Sequence, residues 1–558
     1  MRRLLNMLSA FSLLAVLAGS SGPSFAQGVP GQNDTQSIDA IFRKWNRVDS
    51  PGCVVGVERP GVLHLIRSYG SEDLEHDVPN TESTVLEAGS VSKQFTAAAI
   101  LILAQQHKLR LSDDVRTYLP ELRDYGAPIT IAELLGHTSG LRDWGEVEGI
   151  AGWPRTTRIY TLEEVLDIAA RQKDLNYPPG TAYSYTNTGY NLLAIIVARL
   201  SGQSLAQFTY ANLFVPLGMK HTQWRDDFTR VVKGRAIAYV FGKDGYHQEM
   251  PFENAYGNGG LLTTVDDLLR WNRALSAGEL GRFVTEELQR QTLLTGGRPI
   301  AYARGLFVQS YQGLREVSHS GATAGYRAWL GRYPEQNLSI ALLCNAGDAD
   351  VVRLAHGVAD LFLPKLPPKP ALAGAPTFSP SPEQLTEHVG LYFGLPTGLP
   401  LQITMLDGSL RIGYGAVLAA QSANAFSLGS STLHFTSRDH FDLEDDSGGV
   451  QAFDRVQPWH PTAEQLTEFV GRYSSDETLS TWVVSISGGK LELVPLDRRG
   501  RPRTLTPVYE SAFELEPAGS GAIGFSFDSH RQVSGFDWHT SRVYSLHFVR
   551  TPADEGRR

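Results

Sequence analysis

Cysteine is nearly absent from this chain, with only Cys53 and Cys344 in 558 residues. So few exclude a disulfide framework as the basis of the fold. Both sit in apolar runs, "PGCVVGV" and "LSIALLCNAG", that read as buried strands. Antiparallel neighbours would allow one disulfide; two separate buried thiols are the expectation. An excess of positive charge is also lacking. The net charge of −9 disfavours nucleic acid or an anionic membrane as partner. No metal-ligand cluster and no nucleotide-binding loop stands out, so neither metal nor cofactor is expected. A G-x-S-x-G elbow is missing too, which argues against an α/β-hydrolase. Nor is there a disorder-like bias. The composition, 42% hydrophobic and 20% charged, is that of a globular chain long enough for roughly two to four domains.

What is present begins with residues 1–26, which read as a secretory signal. Arg2-Arg3 supply the charged start, "LLNMLSAFSLLAVLAG" the apolar stretch, and Ser24-Phe25-Ala26 the small residues before a cut at Gln27. The apolar stretch is short for a membrane span, and no cysteine follows it to carry a lipid. Export to a bacterial periplasm or medium is expected, with no stable membrane anchor.

Residues 37–363 mix strands and helices, with strand-like runs at both ends. "CVVGVERPGVLHLIRSYG" reads as a hairpin turning at Pro60-Gly61, and "GYRAWLGRYP" and "LSIALLCN" return near the end. This predicts one α+β domain, its sheet closed by N- and C-terminal strands. Residues 364–382 are rich in proline and alanine and read as an extended linker. Beyond it, short alternating runs turn at Asp407-Gly408, Gly448-Gly449 and Gly488-Gly489. "EQLTEHVGLY" at 383–392 returns as "EQLTEFVGRY" at 464–473, identical at eight of ten positions. A repeat of this length suits two small antiparallel β-barrels, at 383–460 and 461–550.

Three short motifs carry the chemistry. In "LEAGSVSKQFTAAAILILAQQHKL", Ser90 and Lys93 stand three apart where an apolar helix opens, so both face one way. Burial and the positive helix end disfavour the ammonium form, and a neutral lysine would accept the serine proton. A serine N-cap with a solvated lysine is the alternative for an isolated pair. The second S-x-x-K, Ser487 to Lys490, spans a Gly-Gly hairpin and reads as a turn. The second motif is Tyr185-Thr186-Asn187, between a Pro-Pro-Gly turn and a helix start. Tyr185 is placed to relay a proton and Asn187 to bond a substrate amide. Other copies of Y-x-N begin at Tyr210 and Tyr256. The third is His319-Ser320-Gly321 on a late strand. There Gly321 lets substrate backbone lie close, and the Ala322 amide would share an oxyanion with that of Ser90.

S-x-x-K, Y-x-N and a late H-x-G in this order resemble the penicillin-recognising serine hydrolases. These include class C β-lactamases, DD-peptidases, family VIII esterases and D-aminopeptidases. "ITIAELLGHTSGL", "PPGTAYSYTNTGYNLL", "GNGGLLTTVDDLLRW" and "HSGATAGYRAWL" look like further landmarks. The resemblance implies a β-lactamase/transpeptidase-like domain with Ser90 as acylated nucleophile, Lys93 as base and Tyr185 as proton shuttle. Asn187, His319, Gly321 and Ala322 would bind substrate, with His137 a structural residue of a nearby loop. The domain followed by two barrels is similar in layout to D-aminopeptidases, in which a barrel loop reaches the cleft.

Histidine at 319 replaces the lysine usual in β-lactamases and DD-peptidases of this family. Mostly neutral at physiological pH, it weakens a carboxylate anchor. The leading expectation is an amidase or peptidase of D-aminopeptidase type on a small-molecule or peptide substrate. A carboxylesterase, a β-lactamase or DD-peptidase, and a binding module without turnover remain open. "PLDRRGRPR" at 495–503 carries four arginines. In the cleft they would repel a free amine and attract an acid; otherwise they form an exposed loop.

Overall fold

The computed structural model describes residues 32–155, 158–365, 380–395, 397–413, 415–429, 431–445, 448–496 and 502–552. The signal-like segment, most of the linker, and Arg498, Arg499 and Arg501 lie outside the described residues.

The first domain is built on β1 (Cys53–Arg59), β2 (Leu63–Tyr69), β3 (Phe307–Tyr311), β4 (Leu314–Thr323), β5 (Tyr326–Tyr333) and β6 (Leu338–Cys344). They form one antiparallel sheet in the order β3-β4-β5-β6-β1-β2. The helices that position the site are α1 (Gln32–Ile41), α2 (Lys93–Gln105), α3 (Ile131–Gly136), α4 (Trp144–Ile150), α5 (Asn187–Ser201) and α6 (Val351–Phe362). β1 and β6 are apolar along almost their whole length because both their faces are covered. Val55, Val57, Ile340 and Leu342 pack toward α1 and α6, and Val54, Ala341 and Leu343 toward the helical layer that holds α2. That layer explains "FTAAAILIL". A helix apolar all round is one buried all round, and α2 runs through the middle of the domain.

Cys53 and Cys344 correct the expectation of separate thiols. They stand directly opposite each other in the β1–β6 register and are joined by a disulfide. The pairing closes a separation of 291 residues, and strand register over such a distance leaves no local trace in sequence.

After the linker come two antiparallel barrels. The first is a nine-stranded sheet curled so that its two end strands, Ala416–Val417 and Ala419–Ala420, are sequence neighbours. The second is an eight-stranded closed barrel from Gly471–Ser475 to Leu546–Thr551. The repeat is the entry device of each. Ser381 and Thr462 cap short helices through capping boxes with Gln384 and Gln465. Tyr392 and Tyr473 then donate from their hydroxyls to the carbonyls four residues back, those of His388 and Phe469. The rival S-x-x-K forms a hairpin, Ser487 pairing with Lys490 across Gly488 and Gly489, both at positive φ.

The second barrel docks firmly on the first domain. Its Trp482 and Trp538 share one apolar cluster with Trp144, Val147 and Ile150 of α4. Trp482 donates from Nε1 to the Ile150 carbonyl at 3.0 Å. Beside them Arg142 and Glu477 form an ion pair at 2.7 Å, their side chains 0% and 2% exposed. Arg142 also donates to the carbonyls of Tyr544 and Ser545 at 3.1 Å each.

Candidate active site

Ser90 lies in a 3₁₀ turn, Gly89–Ser92, that runs directly into α2. Neither Ser90 nor Ser92 caps the helix with its side chain, so the capping alternative is not realised. Lys93, fully buried, places Nζ 3.2 Å from Ser90 Oγ, 3.0 Å from Asn187 Oδ1 and 2.8 Å from the Asn258 carbonyl oxygen. Two of those partners only accept. A neutral amine gives its two N–H groups to them and turns its lone pair to the Ser90 hydroxyl. Burial, seconded by the positive charge of Arg542, holds the Lys93 pKa well below the ordinary lysine value.

Tyr185 stacks its ring 4.7 Å from Lys93 Nζ. Its hydroxyl is buried without a hydrogen-bond partner among the described residues. Burial pushes the phenol up, so it stays protonated and able to donate. Asn187 opens α5, and its backbone N–H donates to Asp143 Oδ2 at 2.7 Å. His137 sits behind Tyr185, ring centres 4.3 Å apart, as the left-handed C-cap of α3. Its Nδ1 accepts from the Thr186 N–H at 3.2 Å, and burial drives its pKa well below the usual range. It is therefore a neutral brace for the 185–187 segment.

β4 forms the opposite wall. A Cβ on Gly321 would stand 2.1 Å from the Ala88 carbonyl oxygen and 3.0 Å from Ser90 N. One on Gly89, at φ +51°, would stand 2.6 Å from Ala322 N. Only glycine at both positions lets strand and turn meet so closely, and the meeting brings the Ala322 and Ser90 backbones together. His319, 3% exposed, donates from Nδ1 to the Ser320 carbonyl at 2.6 Å and accepts on Nε2 from the Tyr302 hydroxyl at 3.2 Å. Burial, seconded by Lys93, lowers its pKa to about 3. At neutral pH this wall carries no charge.

All seven residues expected at the site gather around one cavity of about 590 Å³, six on its wall and Lys93 beneath. Sequence reasoning missed Asn258, which receives the Lys93 amine, although it ends the set-aside Tyr256-Gly257-Asn258 copy of Y-x-N. It also missed Arg155, Tyr183 and Arg542 on the wall. Of the arginine-rich 495–503 segment, Pro495, Leu496, Pro502 and Arg503 are described. Its described Arg503 lies 5.7 Å over Trp538 and lines a separate cavity with Gly145 and Thr540. Among the described residues, the barrel loop on the cavity wall is 540–545, between strands Val533–His539 and Leu546–Thr551. "HTSRVYS" has one arginine and no charge run, so no pattern marked it.

A half-buried serine over a fully buried lysine, on an α+β scaffold of this kind, fits a serine hydrolase fold, and the comparisons agree. The Beta-lactamase family model matches residues 38–362, and the chain belongs to that family. A D-aminopeptidase of Brucella ovis (strain ATCC 25840 / 63/290 / NCTC 10512) is 26% identical over 507 residues, 87% of this chain and 93% of the relative. The octameric penicillin-binding protein homologue from Pyrococcus abyssi aligns with TM-score 0.52 and 22% identity, over 83% of this chain and 98% of its own. D-amino acid amidase from Ochrobactrum anthropi SV3, complexed with L-phenylalanine amide, aligns with TM-score 0.52 and 21% identity, over 59% and 98%. The two structures speak for the fold alone.

Proposed function

We propose that this protein is an exported serine amidase or peptidase of D-aminopeptidase type, working through a Ser90 acyl-enzyme. The observation that carries the reading is the fully buried Lys93, its Nζ 3.2 Å from Ser90 Oγ. Ser90 Oγ attacks the substrate carbonyl and passes its proton to Lys93 Nζ. The Ser90 and Ala322 amides take the oxyanion. As the C–N bond breaks, Tyr185 gives its proton to the leaving nitrogen and is reprotonated from Lys93. Water then attacks the ester, losing a proton to the same base, and Ser90 leaves with its proton restored. Asn187 holds the acyl side of the substrate. The D-preference is supported by relatives named for D-configured substrates across all three domains. Export is supported by the N-terminal segment and by the disulfide, a bond of oxidising compartments.

The test compares D- and L-alanine p-nitroanilides, free and N-acetylated, and p-nitrophenyl butyrate, with Ser90→Ala as control. Cleavage of D- over L-anilides is expected, with Ser90→Ala lowering kcat by roughly a thousandfold or more. Equal turnover of both enantiomers would refute the D-preference. Ester cleavage alone would make the protein a carboxylesterase, and wild-type rates in Ser90→Ala would remove the nucleophile.

A further inference from the structure

The 540–545 loop brings a cation into the catalytic cavity. The Arg542 guanidinium lies 5.2 Å from the Tyr185 ring centre. Its position is set by the backbone beneath it. The Arg542 carbonyl accepts from Asp143 N–H at 3.3 Å and from Asn176 Nδ2 at 2.9 Å. On either side, Tyr544 N–H donates to Asn176 Oδ1 at 2.9 Å and Thr540 Oγ1 donates to Glu146. The guanidinium itself comes no nearer to a carboxylate than 3.9 Å, at Glu146 Oε1. Among the described residues no side-chain or backbone acceptor holds it within hydrogen-bond distance. Its N–H fork is free to meet a ligand.

The other charged groups on the cavity wall each hold at least one hydrogen-bond partner. Arg155 pairs with Glu253 at 2.5 Å, and Arg327 Nη1 donates to the carbonyls of Ala324 and Tyr326 at 2.7 and 2.8 Å. Among the described residues Asp350 is the one carboxylate on the wall. It caps α6, accepting from Arg353 N–H at 3.1 Å, and lies 3.5 Å from Arg353 Nε. Asp143, below Asn187, accepts from the backbone N–H groups of Gly145, Glu146 and Asn187. His319 is neutral. A free α-ammonium here would meet a guanidinium and find no uncommitted carboxylate, which is unfavourable at a partly desolvated site. A carboxylate would meet a planar two-pronged donor suited to it.

We propose that the substrate's acyl half carries a carboxylate in place of a free α-ammonium, and that Arg542 is the specificity residue that binds it. The proposal rests on the amide-hydrolase and D-preference parts of the reading above, departs from it by replacing the free amine of an aminopeptidase substrate, and names the substrate class: D-configured amides whose acyl portion is anionic. Arg542 comes from the second barrel, so substrate choice is made by a domain that supplies none of Ser90, Lys93 or Tyr185.

The test measures kcat/KM for N-succinyl-, N-acetyl- and unblocked D-alanine p-nitroanilide with the full-length protein, Arg542→Gln and Arg542→Glu. The wild type should favour succinyl over acetyl by roughly tenfold and turn over the unblocked amine least. Arg542→Gln should collapse the succinyl-to-acetyl ratio, chiefly through KM, and Arg542→Glu should reverse the order. Added salt should shrink the wild-type ratio. A loop with only a structural role would lower all three substrates together. Wild-type preference for the unblocked amine, or a ratio unmoved in Arg542→Gln, overturns the proposal. Mono-p-nitrophenyl succinate and p-nitrophenyl butyrate put the same question to esters. Arg542-dependent preference for the anionic ester without anilide turnover would sink the amidase reading and keep Arg542. Anilide turnover indifferent to charge would do the reverse.

Discussion

At the scale of single residues, burial sets the chemistry. Lys93 and His319 are ordinary residue types whose proton affinity is depressed for the same first reason, loss of water. For Lys93 the result is an amine that gives up its proton far more readily than an ordinary lysine; for His319 it is a neutral wall. The sequence named both positions, because a polar pair at the start of an apolar helix and an H-x-G on a strand are local patterns. The size of the effect is not local, since it depends on what closes over the side chain. His319 carries a test with a definite sign. Unfolded, its imidazole protonates near 6.5; folded, it stays neutral down to about 3. Between those values the unfolded state binds the extra proton, so folding stability falls as pH drops through the window. The loss is about 1.4 kcal/mol per pH unit. Buried, neutral His137 acts in the same sense. Denaturant unfolding of His319→Gln at pH 6, 5 and 4 should therefore show a shallower decline than wild type. Equal slopes would mean that His319 is solvated or protonated in the folded protein.

At the scale of elements, the candidate site is an approach of one strand to one turn. Gly89 and Gly321 permit it from the two sides, and each would drive an added methyl into backbone of the other element. H-x-G is legible in sequence as a strand end, but the partner of its glycine is not. Ala88 lies over two hundred residues earlier, and only tertiary packing of β4 against the Gly89–Ser92 turn brings it close. Gly321→Ala should push β4 away from the Ser90 turn and misplace the Ala322 donor. A fall in kcat of roughly a hundredfold or more is expected, comparable to losing one oxyanion donor. Overpacking should cost about 1–3 kcal/mol of stability, leaving a folded protein to assay. Wild-type kcat in this variant would show that the close approach does not serve catalysis.

At the scale of the whole molecule, the second barrel lines part of the candidate site. Trp482 and Trp538 complete a core begun by α4, and Arg142 is spent on Glu477 and on the loop that carries Arg542. Asp143, the next residue, holds the Asn187 backbone. Docking and site geometry therefore share one short segment. Glu477→Ala would strand the buried Arg142 guanidinium without its carboxylate, at about 3–5 kcal/mol. Thermal or denaturant unfolding should show that loss, with turnover falling as the 540–545 loop loosens. A variant as stable as wild type would show that the pair is solvated and that apolar contact alone holds the barrel.

By itself the sequence determined the α+β core, because an apolar helix and continuous strands at both ends have one way to bury themselves. It also determined the two barrels, whose repeat is written in their capping boxes and tyrosines. The Ser90–Lys93 spacing is legible for the same reason, being a contact within one turn. Tertiary structure alone decided the Cys53–Cys344 bond, the Lys93–Asn258 contact and the arrival of Arg542. Each joins residues more than a hundred positions apart. Strand register and domain docking are set by the sum of many buried contacts, and that sum leaves no mark at the residues it brings together.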